Sequence, residues 1–146
     1  MEAKLQKLIK LFVGLLICNS VFAQVSREEL SKELKKPNTN IEKIVTALTD
    51  RFNKDKGTYS APEVLFVGAT DSKRNINLNI QITKELNKAQ IDNLKAGAKQ
   101  LTTSQTCDVP IVYVLLKEHG LTVSFWWFDK NMKQILVSVV DANSCK

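Results

Sequence analysis

The chain has 146 residues with 21 Lys and Arg against 15 Asp and Glu, a single histidine and three cysteines, which is one domain's worth of length and a mildly basic balance. The basic residues are scattered among acidic ones, with no arginine-rich stripe and no interleaving of glycine with aromatics, which argues against nucleic-acid binding. One histidine and three cysteines also leave too few soft ligands for a zinc cluster.

The first twenty-three residues read as an export signal: Lys4, Lys7 and Lys10 precede an apolar run from Leu11 to Ile17, and Val21-Phe22-Ala23 ends in a small residue before Gln24. That run is too short to span a bilayer. Leu15-Leu16-Ile17-Cys18 imitates a lipobox, but such a motif wants a small residue before the cysteine, so Ile17 argues against lipidation of Cys18. Cleavage before Gln24 would leave a single domain, 24–146. With Lys4, Lys7, Lys10 and Glu2 removed, it carries 18 basic and 14 acidic residues, a net of +4.

Ser26-Arg-Glu-Glu29 has the form of a capping box and opens a short helix that should stop at Lys36, before Pro37. Thr39-Asn-Ile-Glu42 repeats the signature. From it runs an amphipathic helix with Ile41, Ile44, Val45, Leu48 and Phe52 on one face, ending before Gly57. Thr58 to Pro62 reads as a linker. Glu63 to Ala69 is a short buried-strand candidate, and Thr70 to Lys73 a turn. Ile76, Leu78, Ile80 and Ile82 then alternate with Asn75, Asn77, Asn79 and Gln81, a strand with one apolar face and one amide face. That ladder suits either a polar recognition surface or the wet side of a sheet.

A second amphipathic helix is expected over Asn87 to Ser104, with Ile91, Leu94, Ala98 and Leu101 inward. For Ile111 to Leu116 the local signals conflict. Branched residues favour a strand, whereas Asp108 and Pro110 suit a helix start and Lys117-Glu-His119 before Gly120 a helix end.

The last forty residues hold a hairpin. Leu121 to Phe128 places Leu121, Val123, Phe125 and Trp127 on one face, and Thr122, Ser124, Trp126 and Phe128 on the other. If Asp129, Lys130 and Asn131 form a three-residue loop with Asn131 left-handed, Phe125 lies opposite Ile135 and Val123 opposite Val137. The inner face would then be completed by Ile135, Val137 and Val139, leaving Trp126, Phe128, Leu136 and Val140 outside. That outer set is more apolar than a solvated face needs to be: it suits a partner surface, a homodimer contact, or a face covered by a helix or loop.

In an oxidising compartment, Cys107 and Cys145, the two cysteines left after cleavage, are expected to form a disulfide. There is no Cys-x-x-Cys motif that would point to redox work. His119 has no identifiable nucleophile to serve, and no spacing pairs Asp71, Asp129 or Asp141 for acid and base work. Asp129-Lys-Asn131 imitates the start of a calcium loop, but Lys130, Lys133 and a missing terminal glutamate remove it. No enzyme, cofactor or metal is expected.

The order of helix, two strands, a helix ending at Cys107, a short segment closed by Gly120, an aromatic hairpin through Val123 to Asp129 and a terminal Cys145 resembles a loose group of small periplasmic proteins of Gram-negative bacteria. The group includes the α/β-class pilotins of type II secretion and a quorum-sensing-regulated virulence-factor family. The resemblance implies a helix at Ile111 to His119, and Met132 stands where those hairpins often carry glycine. Pilotins are lipoproteins, and the poor lipobox at Cys18 departs from that pattern. The fold expected is α+β: a two-layer sandwich whose four-stranded, mostly antiparallel sheet packs on helices. The function expected is a periplasmic or secreted, non-enzymatic accessory module that binds a cell-envelope protein. The alternative is an inhibitor or immunity protein against an envelope-acting enzyme or toxin.

Overall fold

The computed structural model describes residues 25–146, so the expected signal segment, with Cys18, lies outside the described residues. In chain order the elements are α1 (Arg27–Leu34), α2 (Ile41–Asn53), β1 (Tyr59–Ala61), β2 (Val64–Ser72), β3 (Asn75–Ile82), α3 (Lys88–Cys107), α4 (Pro110–His119), β4 (Thr122–Phe128) and β5 (Gln134–Val140).

The helix ends follow side-chain chemistry. Ser26 and Glu29 form the expected capping box on α1. On α2 the cap is Asn40 rather than Thr39: its side chain accepts from the Lys43 N–H, and Lys43 in the third position cannot return the bond as a glutamate would. Asn87 and Gln90 cap α3 reciprocally. Pro110 opens α4, and Gly120 closes it at φ 68°, a left-handed position that glycine adopts without a Cβ clash. Asp108, expected to cap α4, instead ends α3.

The sheet has five strands in the order β1-β2-β3-β4-β5. It is mixed, which corrects the expected four-stranded, mostly antiparallel one. The extra strand comes from Tyr59–Ala61, inside the stretch read as a linker, which pairs antiparallel with β2. β3 and β4 run parallel because α3 and α4 carry the chain back across the layer before β4 begins. β2 also outruns its expected end. It continues through Thr70, Asp71 and Ser72, and the turn falls at Lys73 and Arg74, with Lys73 at φ 55°.

Two bulges decide which residues face the helices. In β2 the register shifts between Phe66 and Gly68, so Val64, Phe66, Ala69 and Asp71 share the inner face with Ile82, Ile80, Leu78 and Ile76 of β3. Gly68 sits at φ 143°, and an added Cβ would crowd Lys56 Cδ at 3.3 Å. Beside it the Asn53 side chain donates to the Ala69 carbonyl (2.8 Å) and accepts from its N–H (2.7 Å), fixing α2 on the bulged strand.

The second bulge overturns the hairpin register expected from sequence. The loop is Lys130 to Met132, not Asp129 to Asn131: Asp129 N–H donates to the Lys133 carbonyl, and Met132, not Asn131, is left-handed at φ 62°. Asp129 Oδ1 holds the turn by accepting from the N–H groups of Asn131 and Lys133. This slide of the loop alone would keep the expected inner set. The extra residue at Ile135 inverts it, since Phe128 pairs with Gln134 but Trp127 with Leu136, Phe125 with Ser138 and Val123 with Val140. Leu136 and Val140 therefore belong to the core side, and Val140 is 0% exposed. The bulge lets Ile135 and Leu136, adjacent in sequence, both pack against the core.

The four described helices lie on that inner side. α2 contributes Val45 to the core, α3 reaches β5 through a buried hydroxyl pair of Thr102 and Ser138 (2.7 Å), and α4 buries Val114, Leu115 and Leu116. α1 lies on α4, with the Arg27 guanidinium 3.8 Å from the centre of the Tyr113 ring and Ser31 donating to the Glu118 carboxylate at 2.8 Å. After β5 the chain turns at Asp141, and Lys117 holds the Ala142 carbonyl at 2.9 Å. The expected disulfide then ties Cys145 to Cys107 at the end of α3, with 5.6 Å between the Cα atoms.

Candidate functional site

The side of the sheet away from the helices is open, and its composition follows from the register. Side chains paired across the strands fall into rows: Tyr59, Leu65, Gln81, Phe128 and Gln134; then Asn79, Trp126 and Val137; then Thr70, Asn77, Ser124 and Val139; then Ser72, Asn75 and Thr122. None of these residues is charged, in a chain that is 25% Asp, Glu, Lys and Arg. Charges lie at the ends of the face: Lys130 pairs with Glu85 and Lys84 with Glu63 at one, and Lys73 and Arg74 form the β2–β3 turn at the other.

The amide ladder of β3 runs down the middle and is internally bonded. Asn75 Oδ1 accepts from the Thr122 hydroxyl at 2.8 Å, and Asn75 Nδ2 donates to Asn77 Oδ1. The Trp126 indole N–H donates to the same Asn77 oxygen at 3.2 Å. Asn79 donates to the Gly68 carbonyl, and Gln81 to that of Lys130. These bonds hold the amides and the indole in place before anything binds, so a partner would not have to immobilise them.

Apolar groups flank the ladder on both sides. Trp126, Phe128 and Val137 are half-buried on one flank, and Val139 is 45% exposed. Tyr59, 58% exposed, and Leu65 lie on the other. The two adjacent tryptophans have opposite surroundings: Trp127 is buried in the core, while Trp126 lies on the open face.

Of the four residues expected to form a partner surface, the structure brings Trp126 and Phe128 together on this face and turns Leu136 and Val140 to the other side, because of the extra residue at Ile135. Their places are taken by Val137 and Val139. Tyr59 and Leu65 were missed. The signal for Tyr59 was slight, one aromatic in a three-residue strand beside a proline.

Elsewhere among the described residues the titratable groups serve structural joints. No group of three His, Cys, Asp or Glu among the described residues could hold a metal ion. The His119 carbonyl accepts from Arg74 at 2.8 Å, which ties the end of α4 to the β2–β3 turn. Two carboxylates have pKa values below the ordinary range: Glu118 through hydrogen bonds from Ser31 and then Lys35, and Asp141 through the Ser144 hydroxyl first. Both sit at structural joints, one between α1 and α4 and one in the turn leading to Cys145. A groove between α3 and the C-terminal tail, lined by Lys99, Asp108, Asp141 and Lys146 among others, mixes both signs of charge. No described helix is long and apolar enough to cross a membrane.

Comparison with models of known protein families finds no match, and comparison with curated proteins finds none either. Solved structures do share the architecture. A predicted secreted protein of Pseudomonas aeruginosa superposes with a TM-score of 0.61 at 11% identity, over 73% of this chain and 93% of its own. The pilotin of the type 2 secretion system of Vibrio vulnificus superposes with a TM-score of 0.57 at 14% identity, over 82% of this chain and 97% of its own. At such identities the likeness is one of fold.

Proposed function

We propose that this protein is a non-enzymatic binding module of the cell envelope, exported by its first twenty-three residues, and that its open sheet face docks a protein partner. One observation carries the reading: the rows of the open face contain aromatic, aliphatic, amide and hydroxyl side chains and no charge, with charges at its ends. Protein interfaces have that make-up, with charged residues depleted at the centre, aromatics enriched and polar groups around the edge. Trp126 and Phe128 are the anchors, since large aromatics in a fixed setting contribute most per residue to such contacts. The bonded ladder supports them by holding Trp126 to Asn77.

The fold shared with a pilotin supports a narrower version, in which the partner is a component of a secretion machine. The test is capture by the mature protein from a membrane and periplasmic extract, followed by titration with the purified captured protein. Replacing Trp126 and Phe128 together by serine should abolish binding and leave the thermal melt in place. Binding that survives the double replacement refutes the assignment of the face. A collapsed melt shows the two rings to be part of the core.

A further inference from the structure

We infer that the free edge of β5 is a self-pairing edge through which two copies of this chain join their sheets into one. The inference does not depend on the proposed partner, since it concerns the rim of the sheet and not its open face.

β5 is the last strand of the sheet, so one of its sides has no ladder. Among the described residues no loop or helix supplies a backbone hydrogen bond to residues 134–140 beyond the strand ladder itself. The two edges of the sheet are guarded very differently. β1 is three residues long, is followed at once by Pro62, and turns the Ser60 hydroxyl inward to the Val64 carbonyl. Short edges and prolines prevent unwanted pairing. β5 is seven residues long, with no proline, glycine or charge between Lys133 and Asp141. Its one irregularity, the bulge at Ile135, lies near the loop end and leaves Leu136 to Val140 as an uninterrupted run.

That run is self-complementary. An antiparallel pairing about a two-fold axis at Ser138 sets Val137 of each copy beside Val139 of the other on the open face, so the most exposed valine gains an apolar neighbour. The product is a continuous ten-stranded sheet in which the two Trp126 faces lie on the same side.

Sedimentation equilibrium of the oxidised mature protein, run as a concentration series, tests this. The expected result is a monomer–dimer equilibrium, with the amides of residues 136–140 exchanging with deuterium more slowly as concentration rises. Val139→Lys should leave only monomer. The double Trp126, Phe128 serine variant should dimerise as the parent does. A parent that stays monomeric at its highest soluble concentration overturns the inference. So does a dimer that persists in Val139→Lys, or one that breaks on loss of Trp126 and Phe128.

Discussion

Removing the Cys107–Cys145 bridge is the perturbation whose size the structure predicts most directly. The bond closes a loop of 38 residues between the last residue of α3 and the tail beyond β5. In the chain-entropy account a loop of that length destabilises the unfolded state by about 4 kcal/mol. A domain of this size holds a net stability of only roughly 5 to 15 kcal/mol, so the bridge is a large fraction of the whole. With a urea dependence of about 2 kcal/mol per molar, the Cys107→Ser, Cys145→Ser double variant should lose roughly 2 M in its unfolding midpoint. Without the clasp, nothing covalent holds the α3 end and the tail against β5, and Cys145, 3% exposed, would become a buried serine hydroxyl. The assay is urea unfolding followed by tryptophan fluorescence, on oxidised parent, reduced parent and double variant. A midpoint that does not move would refute the reasoning, as would alkylation of both thiols in the folded, unreduced protein.

Three further outcomes follow from the same geometry. Val140→Lys forces a charge into the core against Val123 and should cost more than about 4 kcal/mol, whereas Val139→Lys, one residue away on the other face, should change monomer stability by no more than about 0.5 kcal/mol in chemical unfolding. Thr102→Val removes the buried partner of Ser138 and should cost about 1 to 3 kcal/mol, most of it recovered when Ser138→Ala is added, as a double-mutant cycle would show. Glu118 has a lowered pKa in the folded state through Ser31 and Lys35, so its contribution is complete above the ordinary carboxylate value and is lost as pH falls through the folded one. Being a surface contact, it is worth about 0 to 1 kcal/mol, and Glu118→Gln should flatten the acid limb of a melt-versus-pH curve by that much.

Much of the architecture could be read from local signals, and its failures have specific physical causes. A capping box placed the start of α1, apolar periodicity placed α3, and the strict alternation of β3 put Ile76 to Ile82 against the helices and the amides on the open face. Trp126 and Phe128 could be placed because β4 is regular. Their β5 neighbours could not, because one extra residue at Ile135 exchanges the faces of everything beyond it, and both arrangements bury a plausible apolar set. Met132 adopts a left-handed conformation that sequence alone would have given to Asn131. Tyr59–Ala61 is a strand only because β2 offers an edge to pair with, a long-range fact that three residues cannot announce. The parallel pairing of β3 with β4 is likewise set by how the α3 and α4 connection packs.

The uncharged face around Trp126 and Phe128 is the heart of this account, and a binding titration tests it most directly. The immobilised mature protein and its Trp126→Ser, Phe128→Ser variant, shown to melt alike, are each titrated with the envelope protein that the parent captures. The account predicts saturable binding to the parent and none to the variant. Equal affinity for both would contradict it.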